Sequence, residues 1–277
     1  MTFLFDFFAK FAVIKTKLNK VMNKYLLTFP IAIIFSVFIL TGCEKEDKDA
    51  IQMDAVNKGI QIITGIDGKD YEVVDLGLTT GVLWATCNIG AFSPEQTGTL
   101  FAWGETEPKQ SYEWSNYYWS NGDEMSITKY CKDKRYGTVD GKTSLEKTDD
   151  VALATMGEGW SIPTETDFRD LLTTRNCTSK WCKLNGVGGY LFTSVRKGYE
   201  GNSIFIPLAG MLDHTKTRFA GEYGWYWCSS MYYDSENGKY YSTEASVLWL
   251  EHTDVNNHIL KSRPRSVGLP IRPIYFK

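Results

Sequence analysis

The stretch DDVALATMGEGWSIPTETDFRDLL, residues 149–172, predicts two short helices and decides the fold class of this 277-residue chain. In its second half, Pro163 precedes Thr164, which can cap a helix together with Asp167. Phe168 and the two leucines that end the stretch then follow at i, i+3 and i+4, on one helix face. In its first half, two aspartates precede Val-Ala-Leu-Ala, where carboxylates favour the positive end of a helix. We expect the apolar helix face to pack on a sheet.

Strand signals dominate the sequence on both sides of this stretch. Short runs rich in β-branched and aromatic residues are bounded by Gly, Asn or Pro, and they do not alternate with helices as βα units do. The predicted strands are residues 71–76, 82–87, 190–195, 203–208 and 246–251. Together these signals predict an α+β domain with mainly antiparallel strands, two helices and long irregular loops, extending from residue 60 to residue 277.

Aromatic residues are concentrated in an irregular region, residues 104–150, and in later clusters. Loops this long are uncommon unless they fold on their own side chains or carry function. Aromatic rings stack on sugars and peptides, but they also fill cores and pin loops to a domain, so both interpretations stay open. The candidate ligand-binding residues are Trp114, Tyr117, Trp119, Trp225, Tyr232 and Tyr233.

An apolar run over residues 25–40 leads into Thr-Gly-Cys43 and then into dense charge. A membrane span needs roughly 20 apolar residues, and no basic stop-transfer residues follow, so a lipoprotein signal is favoured over a transmembrane anchor. Cys43 is the expected lipidation site, holding the protein at a membrane through acyl chains. Met22 is the expected translation start, with a long basic leader from Met1 as the alternative. Residues 1–42 would then be a signal region that is removed, and residues 43–59 a lipidated flexible tether.

Composition and motifs argue against several function classes. The net charge is −3 and no basic block interleaves with aromatics, so we expect no nucleic-acid partner. Besides Cys43 an odd number of cysteines remains, and we expect most of them to be buried, with room for one disulfide. The three histidines form no HExxH pattern, and no GxSxG elbow, P-loop or dinucleotide fingerprint occurs. We therefore expect no enzyme activity, no cofactor and no metal site.

Seven blocks of sequence occur in an order that resembles a known family. They are VDLGLTTGVLWATCNIGA (74–91), FAWGE (101–105), the stretch 149–172, NGVGGYLFT (185–193), GNSIFIPLAG (201–210), GWYWCSS (224–230) and SVGLPIRPI (266–274). The set resembles the Fibrobacter succinogenes major paralogous domain, which is abundant in surface lipoproteins of Bacteroidetes. The resemblance covers about residues 71–275. It implies a C-type-lectin-like α+β fold, in which two helices flank a sheet closed by the two chain ends and a long irregular loop region lies on one side.

Within these blocks, certain residues are expected to build the fold rather than to bind ligand. At the helix entrance this chain has Ser161 where the family often has Arg, and Asp167 where it often has Glu. The Glu-Pro-Asn, Gln-Pro-Asp and Trp-Asn-Asp triplets of calcium-dependent lectins are absent, so the sequence does not support calcium-dependent sugar binding. The residues expected to build the fold are Trp160, Pro163, Thr164, Trp227, Ser229, Ser230, Arg263 and Arg272.

Export, anchoring and an aromatic loop surface favour one leading hypothesis. It is a lipoprotein of the outer membrane, exposed at the cell surface, with a non-catalytic lectin-like domain for adhesion or for binding a glycan or protein. The alternative is a structural subunit or tip component of a surface assembly. Minor alternatives are a catalyst like the formylglycine-generating enzymes, which share a similar fold, and a hypervariable domain diversified by a retroelement. Placement on the periplasmic face is the alternative address.

Overall fold

The described part of the chain forms one compact body. The computed structural model describes residues 47–56, 58–252 and 258–277, and Glu46–Lys277 is one compact unit. The signal region 1–42, the expected start at Met22 and the expected lipidation site Cys43 lie outside the described residues. Within the described ranges, no helix is long and apolar enough to cross a membrane.

Helices are few and short, and strands dominate. The α-helices of the described residues are α1 (Met53–Val56), α2 (Val151–Met156) and α3 (Glu165–Leu172). The strands are β1 (Ala50–Ile51), β2 (Ile60–Thr64), β3 (Asp70–Asp75), β4 (Leu83–Ala85), β5 (Trp160–Ser161), β6 (Cys177–Leu184), β7 (Val187–Ser194), β8 (Ser203–Pro207), β9 (Met211–Asp213), β10 (Lys216–Arg218), β11 (Tyr223–Asp234), β12 (Lys239–Glu251), β13 (Ile259–Pro264) and β14 (Ile274–Tyr275).

These strands form sheets that are almost entirely antiparallel. One sheet has the order β2-β3-β4-β14-β5, so that β14 lies between β4 and β5. A second has the order β1-β6-β7-β8 and a third β11-β12-β13, while β9 and β10 form a hairpin. The β1–β6 pair alone is parallel in the described sheets. The α+β class with mainly antiparallel strands is therefore confirmed, and the two predicted helices correspond to α2 and α3.

The third sheet carries apolar side chains on both faces, because neighbouring residues of a strand point to opposite sides. Trp225 and Trp227 belong to one hydrophobic core together with Val247. Tyr226 and Leu248, which pair across β11 and β12, belong to a second core. Residues of α2 join the first core, whereas α3 packs in the second, where the ring of Phe168 lies 5.3 Å from that of Trp84.

The entrance to α3 has the predicted cap. Thr164 Oγ1 accepts a hydrogen bond from Asp167 N at 3.2 Å, and Asp167 Oδ2 accepts one from Thr164 N at 2.8 Å. Before it, the buried carboxylate of Asp150 caps α2 by accepting from Ala152 N at 2.9 Å. Ser161 Oγ donates to the same carboxylate at 2.7 Å. The hydroxyl of Ser161 thus donates to Asp150 at the position where the family that the sequence resembles often has an arginine.

The prediction of a flexible tether over residues 43–59 is wrong for its described second half. β1 pairs with β6 and α1 packs against β8. Val56 is 1% exposed and lies in a small core with Leu184 and Phe205, and Lys183 forms an ion pair with Asp47. The high charge of the segment suggested a linker, but its spaced apolar residues cover one face of the second sheet. The compact body therefore includes residues 47–56 as well as the predicted domain from residue 60 onward.

The residues expected to build the fold occupy different environments. Trp160, Trp227 and Arg272 are buried, and Trp227 Nε1 donates to Phe101 O at 2.8 Å. Arg272 Nε donates to Asn88 Oδ1 at 2.9 Å, and its other nitrogens bond main-chain carbonyls. The backbone of this strand region is joined to the helix entrance by a bond from Ser229 N to Pro163 O at 2.9 Å. Thr164 is exposed, while Ser230 and Arg263 are half-buried.

The cysteines of the described residues are all free thiols, so none of them forms the one disulfide for which the sequence left room. Cys131, Cys177, Cys182 and Cys228 are buried and Cys87 is half-buried. Burial raises the pKa of Cys177 to about 12 and that of Cys182 to about 11. They pack as small apolar side chains.

Candidate functional site

The six candidate aromatic residues do not come together in one groove. Trp114, Tyr117 and Trp119 lie in the irregular loop, Trp225 lies in the third sheet, and Tyr232 and Tyr233 lie at the far end of β11. Tyr117 is 2% exposed and Trp225 is 1% exposed. The prediction that these two rings belong to an open ligand surface is therefore wrong, because both are packed inside the protein.

The burial of Tyr117 has a specific cause in Arg265, which is itself fully buried. Tyr117 donates through its hydroxyl to Trp103 O at 2.8 Å, and the same hydroxyl accepts from Arg265 Nε at 2.9 Å. The guanidinium also donates to the carbonyls of Lys129 and Tyr130. The loop is therefore held to the C-terminal part of the chain by one cation with several carbonyl partners. Sequence reasoning missed Arg265, because its partners are far away along the chain.

Next to this buried cation, the loop leaves an open groove of about 610 Å³. Its rim carries the exposed ring of Tyr118 and the half-buried ring of Trp119, whose centroids are 4.6 Å apart in an edge-to-face arrangement. Trp119 is fixed by a bond from its Nε1 to Gly104 O at 2.8 Å. The charged and aromatic side chains that line this groove are Glu105, Glu107, Lys109, Tyr118, Trp119, Lys129 and Asp149.

Glu105 has a nearly buried carboxylate, and described residues donate hydrogen bonds to only one of its two oxygens. It is 7% exposed, and its Oε1 accepts from Lys109 Nζ at 2.9 Å and from Tyr118 N at 2.8 Å. Its second oxygen, Oε2, accepts no hydrogen bond from any residue that the structure describes. A nearly buried carboxylate that is held rigidly by one oxygen thus keeps the other free for an outside donor.

Lys129 forms the cationic wall of the groove. Its ammonium lies 4.4 Å from the Trp119 ring centroid and forms ion pairs with Asp149 at 2.6 Å and Glu146 at 2.8 Å. Burial lowers the pKa of Lys129, but the bonds to the two carboxylates outweigh it and raise the pKa overall. The bonds from Lys129 and Lys142 lower the pKa of Glu146 to about 2.

Asp149, the second buried carboxylate of the groove, has no free oxygen. Thr148 donates to its Oδ1 at 2.8 Å, while Lys129 and the hydroxyl of Tyr130 donate to its Oδ2. The groove thus offers a free oxygen of Glu105, the exposed carboxylate of Glu107, an exposed aromatic ring and a cation that already has partners. Such a set suits a polyhydroxylated, uncharged ligand, because hydroxyls can donate to the carboxylate while a sugar face covers the ring.

A second cavity, of about 650 Å³, lies beside β3 and β4 and adjoins the groove of Glu105, because Thr106 and Glu107 line both. Tyr71, Glu72 and Cys87 line it, together with Phe92, which is 92% exposed. The Cys87 thiol is half-buried, and burial raises its pKa, so it is a poor nucleophile. Among the described residues, no group of three or more His, Cys, Asp or Glu side chains could hold a metal ion.

The remaining candidate rings lie at the end of the β11–β12 hairpin. Tyr233 is 45% exposed and packs on Tyr240, with ring centroids 4.8 Å apart. Tyr232 is half-buried and lies 5.9 Å from Tyr241. These rings pair within the hairpin, and neither lines the groove of Glu105.

Sequence reasoning found the loop but selected only part of its chemistry. Tyr118 stands between two selected aromatics, and Glu105 ends the block FAWGE, yet neither was chosen as a candidate. The selection favoured rings over charges, and a sequence does not tell which of the neighbours Tyr117 and Tyr118 points inward.

Comparison with protein-family models, with curated proteins and with solved structures finds no match to this chain.

Proposed function

We propose that this protein is a lipid-anchored outer-membrane protein, exposed at the cell surface, whose C-type-lectin-like domain binds a saccharide without catalysis. The groove of Glu105, Tyr118 and Trp119 is the proposed binding site. The anchoring part of the proposal rests on the signal-like sequence before Cys43. The lectin-like part rests on the order of the seven sequence blocks and on the α+β, mainly antiparallel architecture, in which β14 pairs with β4.

One observation carries the binding site: Glu105 is nearly buried, yet its Oε2 accepts no bond within the described part of the chain. Glu105 Oε2 is accessible from the groove, so a ligand hydroxyl can replace water as its donor. The ring of Tyr118, 71% exposed, stands at the same groove and offers a face for a sugar. A charge-assisted bond next to an aromatic face is a common way of holding a saccharide.

Among the described residues, the groove holds two available carboxylates, that of the nearly buried Glu105 and that of the exposed Glu107. Most glycoside hydrolases work with a pair of carboxyl groups that flank the bond to be cleaved. Here both oxygens of Asp149 are engaged by Thr148, Lys129 and Tyr130. Glu105 and Glu107 can each accept a hydrogen bond from a ligand hydroxyl, and we propose binding without catalysis because Glu107 is exposed and no hydrogen bond or ion pair within the described residues fixes its side chain opposite Glu105.

The test is a glycan array with the full chain purified in detergent, followed by titration calorimetry of the saccharides that bind. Glu105→Gln should weaken binding at least about tenfold, since a hydrogen bond to a charged acceptor contributes about 1.5–3 kcal/mol. Tyr118→Ala should weaken binding too, because it removes the face on which the sugar stacks. The fold should be unaffected, since the ring is 71% exposed and its hydroxyl forms no hydrogen bond within the described residues. Tyr233→Ala is the matched control and should leave affinity unchanged.

The proposal fails if the folded protein binds no saccharide on a broad array. It also fails if Tyr233→Ala reduces affinity as much as Tyr118→Ala, because the ligand would then lie at the hairpin and not in the groove. Circular dichroism and the urea midpoint of each variant show whether the fold is intact.

The β11–β12 hairpin favours a second candidate function, that of a structural subunit in a surface assembly. Tyr233 and Tyr240 form an aromatic pair at its end, and Tyr233 is 45% exposed. Aromatic residues are enriched in the cores of protein interfaces. If this function holds, Tyr233→Arg should release a stoichiometric partner from the anchored protein, whereas Glu105→Gln should not.

A further inference from the structure

A second aromatic surface lies on the third sheet, apart from the groove of Glu105. We call it the cation–tryptophan face, and it consists of Tyr223, Trp225, Trp249, Lys261 and Arg263. Trp225 pairs directly with Trp249 across β11 and β12, and Lys261 pairs with Val247 across β12 and β13. The pairing and the two-residue alternation put all five side chains on one face. Trp225 is buried, and the other four are half-buried.

The rings of this face form a fixed platform. Tyr223 and Trp225 are stacked, with centroids 5.1 Å apart and planes 6° apart. Trp249 meets Trp225 edge to face at 5.3 Å. Phe219, 44% exposed, lies edge-on to Tyr223 at 5.8 Å and extends the platform outward. Rings locked in this way lose little freedom when a ligand covers them.

Two cations lie on the platform. Arg263 Cζ is 4.1 Å from the Trp225 ring centroid and 4.2 Å from that of Trp249, and Lys261 Nζ is 4.0 Å from that of Trp249. At these distances the ring electrons attract both cations and hold them in place. Each cation has one or two aromatic partners.

Neither cation forms an ion pair with a carboxylate of the described residues, whereas Lys109, Lys129 and Lys183 all do. Glu244 forms no hydrogen bond or ion pair with Arg263, and its negative charge only raises the pKa of the guanidinium. Its carboxylate accepts a hydrogen bond from Ser262, which neighbours Arg263 in β13 and points to the opposite face. Both cations of the face therefore lack a direct carboxylate partner among the described side chains, while Glu244 and Glu251, which pairs with Tyr223, place negative charge nearby.

Three hydrogen-bond donors of this face lack an acceptor among the described residues. Trp225 Nε1, Trp249 Nε1 and Arg263 Nε are buried and bond no acceptor within the described ranges. Burial lowers the pKa of Arg263 to about 10, so its charge remains at neutral pH. Desolvated donors and unpaired cations are both satisfied by an anion.

We propose that the cation–tryptophan face binds an acidic saccharide, whose sulfate or carboxylate group lies between Lys261 and Arg263 and whose sugar ring lies on the half-buried rings of Tyr223 and Trp249, not on the buried ring of Trp225. The positive charge selects the anion, and the flat rings beside it favour a sugar over a free inorganic ion. This site is separate from the groove at Glu105, and it does not depend on the function proposed for that groove.

The experiment titrates the full chain in detergent with a sulfated oligosaccharide and with an oligouronate, while tryptophan fluorescence and calorimetry record binding. A neutral oligosaccharide of the same length is the reference ligand. We expect at least one of the two acidic ligands to bind, with affinity falling as NaCl rises, because salt screens an interaction of this kind. The two acidic arms distinguish a sulfate from a carboxylate as the recognised group.

Lys261→Gln tests the site without disturbing the core, because Lys261 is half-buried, its ammonium lies on the Trp249 ring, and it is not part of a hydrophobic core of the described residues. It should weaken acidic-ligand binding at least about tenfold, through loss of one charge-assisted contact. Lys239→Gln is the matched control: Lys239 also lies over a ring, at 4.7 Å from Tyr241, but at the far end of the same sheet. Arg263→Gln should weaken binding further if the variant folds.

The proposal is overturned if neither acidic ligand binds the folded protein. It is equally overturned if Lys261→Gln keeps the full affinity, or if Lys239→Gln loses as much affinity as Lys261→Gln does. Glu105→Gln should leave acidic-ligand binding unchanged, so a failure at one site is distinguishable from a failure at the other.

Discussion

Arg265 and Tyr117 stand 148 residues apart in the chain, and Arg265 Nε donates a hydrogen bond to the Tyr117 hydroxyl at 2.9 Å. Around this bond the guanidinium lies 4.8 Å from the Trp103 ring centroid and donates to three carbonyls of surrounding segments. The irregular loop is thus fastened from inside, and the groove of Glu105 depends on that fastening.

Replacement of Arg265 by Met should therefore destabilise the whole domain. The change leaves three carbonyls and a hydroxyl without their donor, and each buried orphan costs about 1–3 kcal/mol. We expect the free energy of unfolding to fall by about 3 kcal/mol or more, measured by urea denaturation. Arg135→Gln, at a side chain 72% exposed, is the control and should change little. Equal stability of the two variants would contradict the proposed role of Arg265.

The ion pairs of Glu146 predict a dependence of stability on pH. The bonds from Lys129 and Lys142 lower the pKa of Glu146 from 4.5 to about 2 in the folded protein. A lowered pKa means that the charged form favours folding, so this contribution is present above pH 4.5 and is lost as the pH falls towards about 2. The stability advantage of the wild type over Glu146→Gln should shrink across that window. Denaturation at several pH values measures it, and a constant difference would argue against the lowered pKa.

The helices could be predicted from sequence because their signals are local. Thr164 and Asp167 are three residues apart and form the cap between themselves. Arg265 gave no such signal, since its partners Tyr117 and Lys129 are joined to it only by the tertiary fold. A sequence identifies an aromatic loop more easily than it tells which ring of that loop points inward.

Five strands were predicted, and four of them, β3, β4, β7 and β8, agree to within a few residues. The fifth, β12, begins seven residues before its predicted start, others such as β2, β6 and β13 were not predicted, and neither were the strand partners. Alternation of side chains indicates a strand, whereas pairing is decided by which apolar faces meet in space. The same limit explains the error over residues 47–56: Ile51 and Val56 look isolated among charges, yet both pack in one small core with Phe205.

That N-terminal segment should contribute measurably to stability. A chain that begins at residue 60 lacks β1, α1 and the buried side chain of Val56. Compared with a chain that begins at residue 47, its free energy of unfolding should be lower by about 2 kcal/mol or more, since burial of one such side chain contributes about 1.5–3 kcal/mol. Urea denaturation of both chains measures the difference. Coinciding transitions would show that the segment adds nothing to the fold.

The cysteines should be protected from alkylation in the folded protein. Burial raises the pKa of Cys177 to about 12 and that of Cys182 to about 11, and it also raises the pKa of Cys228. Since the thiolate is the reacting form, iodoacetamide at pH 8 should leave these three unmodified, as read by peptide mass spectrometry. The same treatment in urea should modify them all and serves as the control. Rapid modification of Cys177 without urea would contradict the packing described.

The position of β14 between β4 and β5 has a consequence for the order of events during biosynthesis. A ribosome that has produced the chain only as far as residue 270 has made both neighbours of this strand but not the strand that joins them. Ile274 belongs to one core and Tyr275 packs against the other, so both cores are incomplete until these two residues have been synthesised. Topologies that depend on such distant pairings fold slowly. The first sheet can therefore close only after residues 274–275 have been synthesised, later than any other strand of the described sheets.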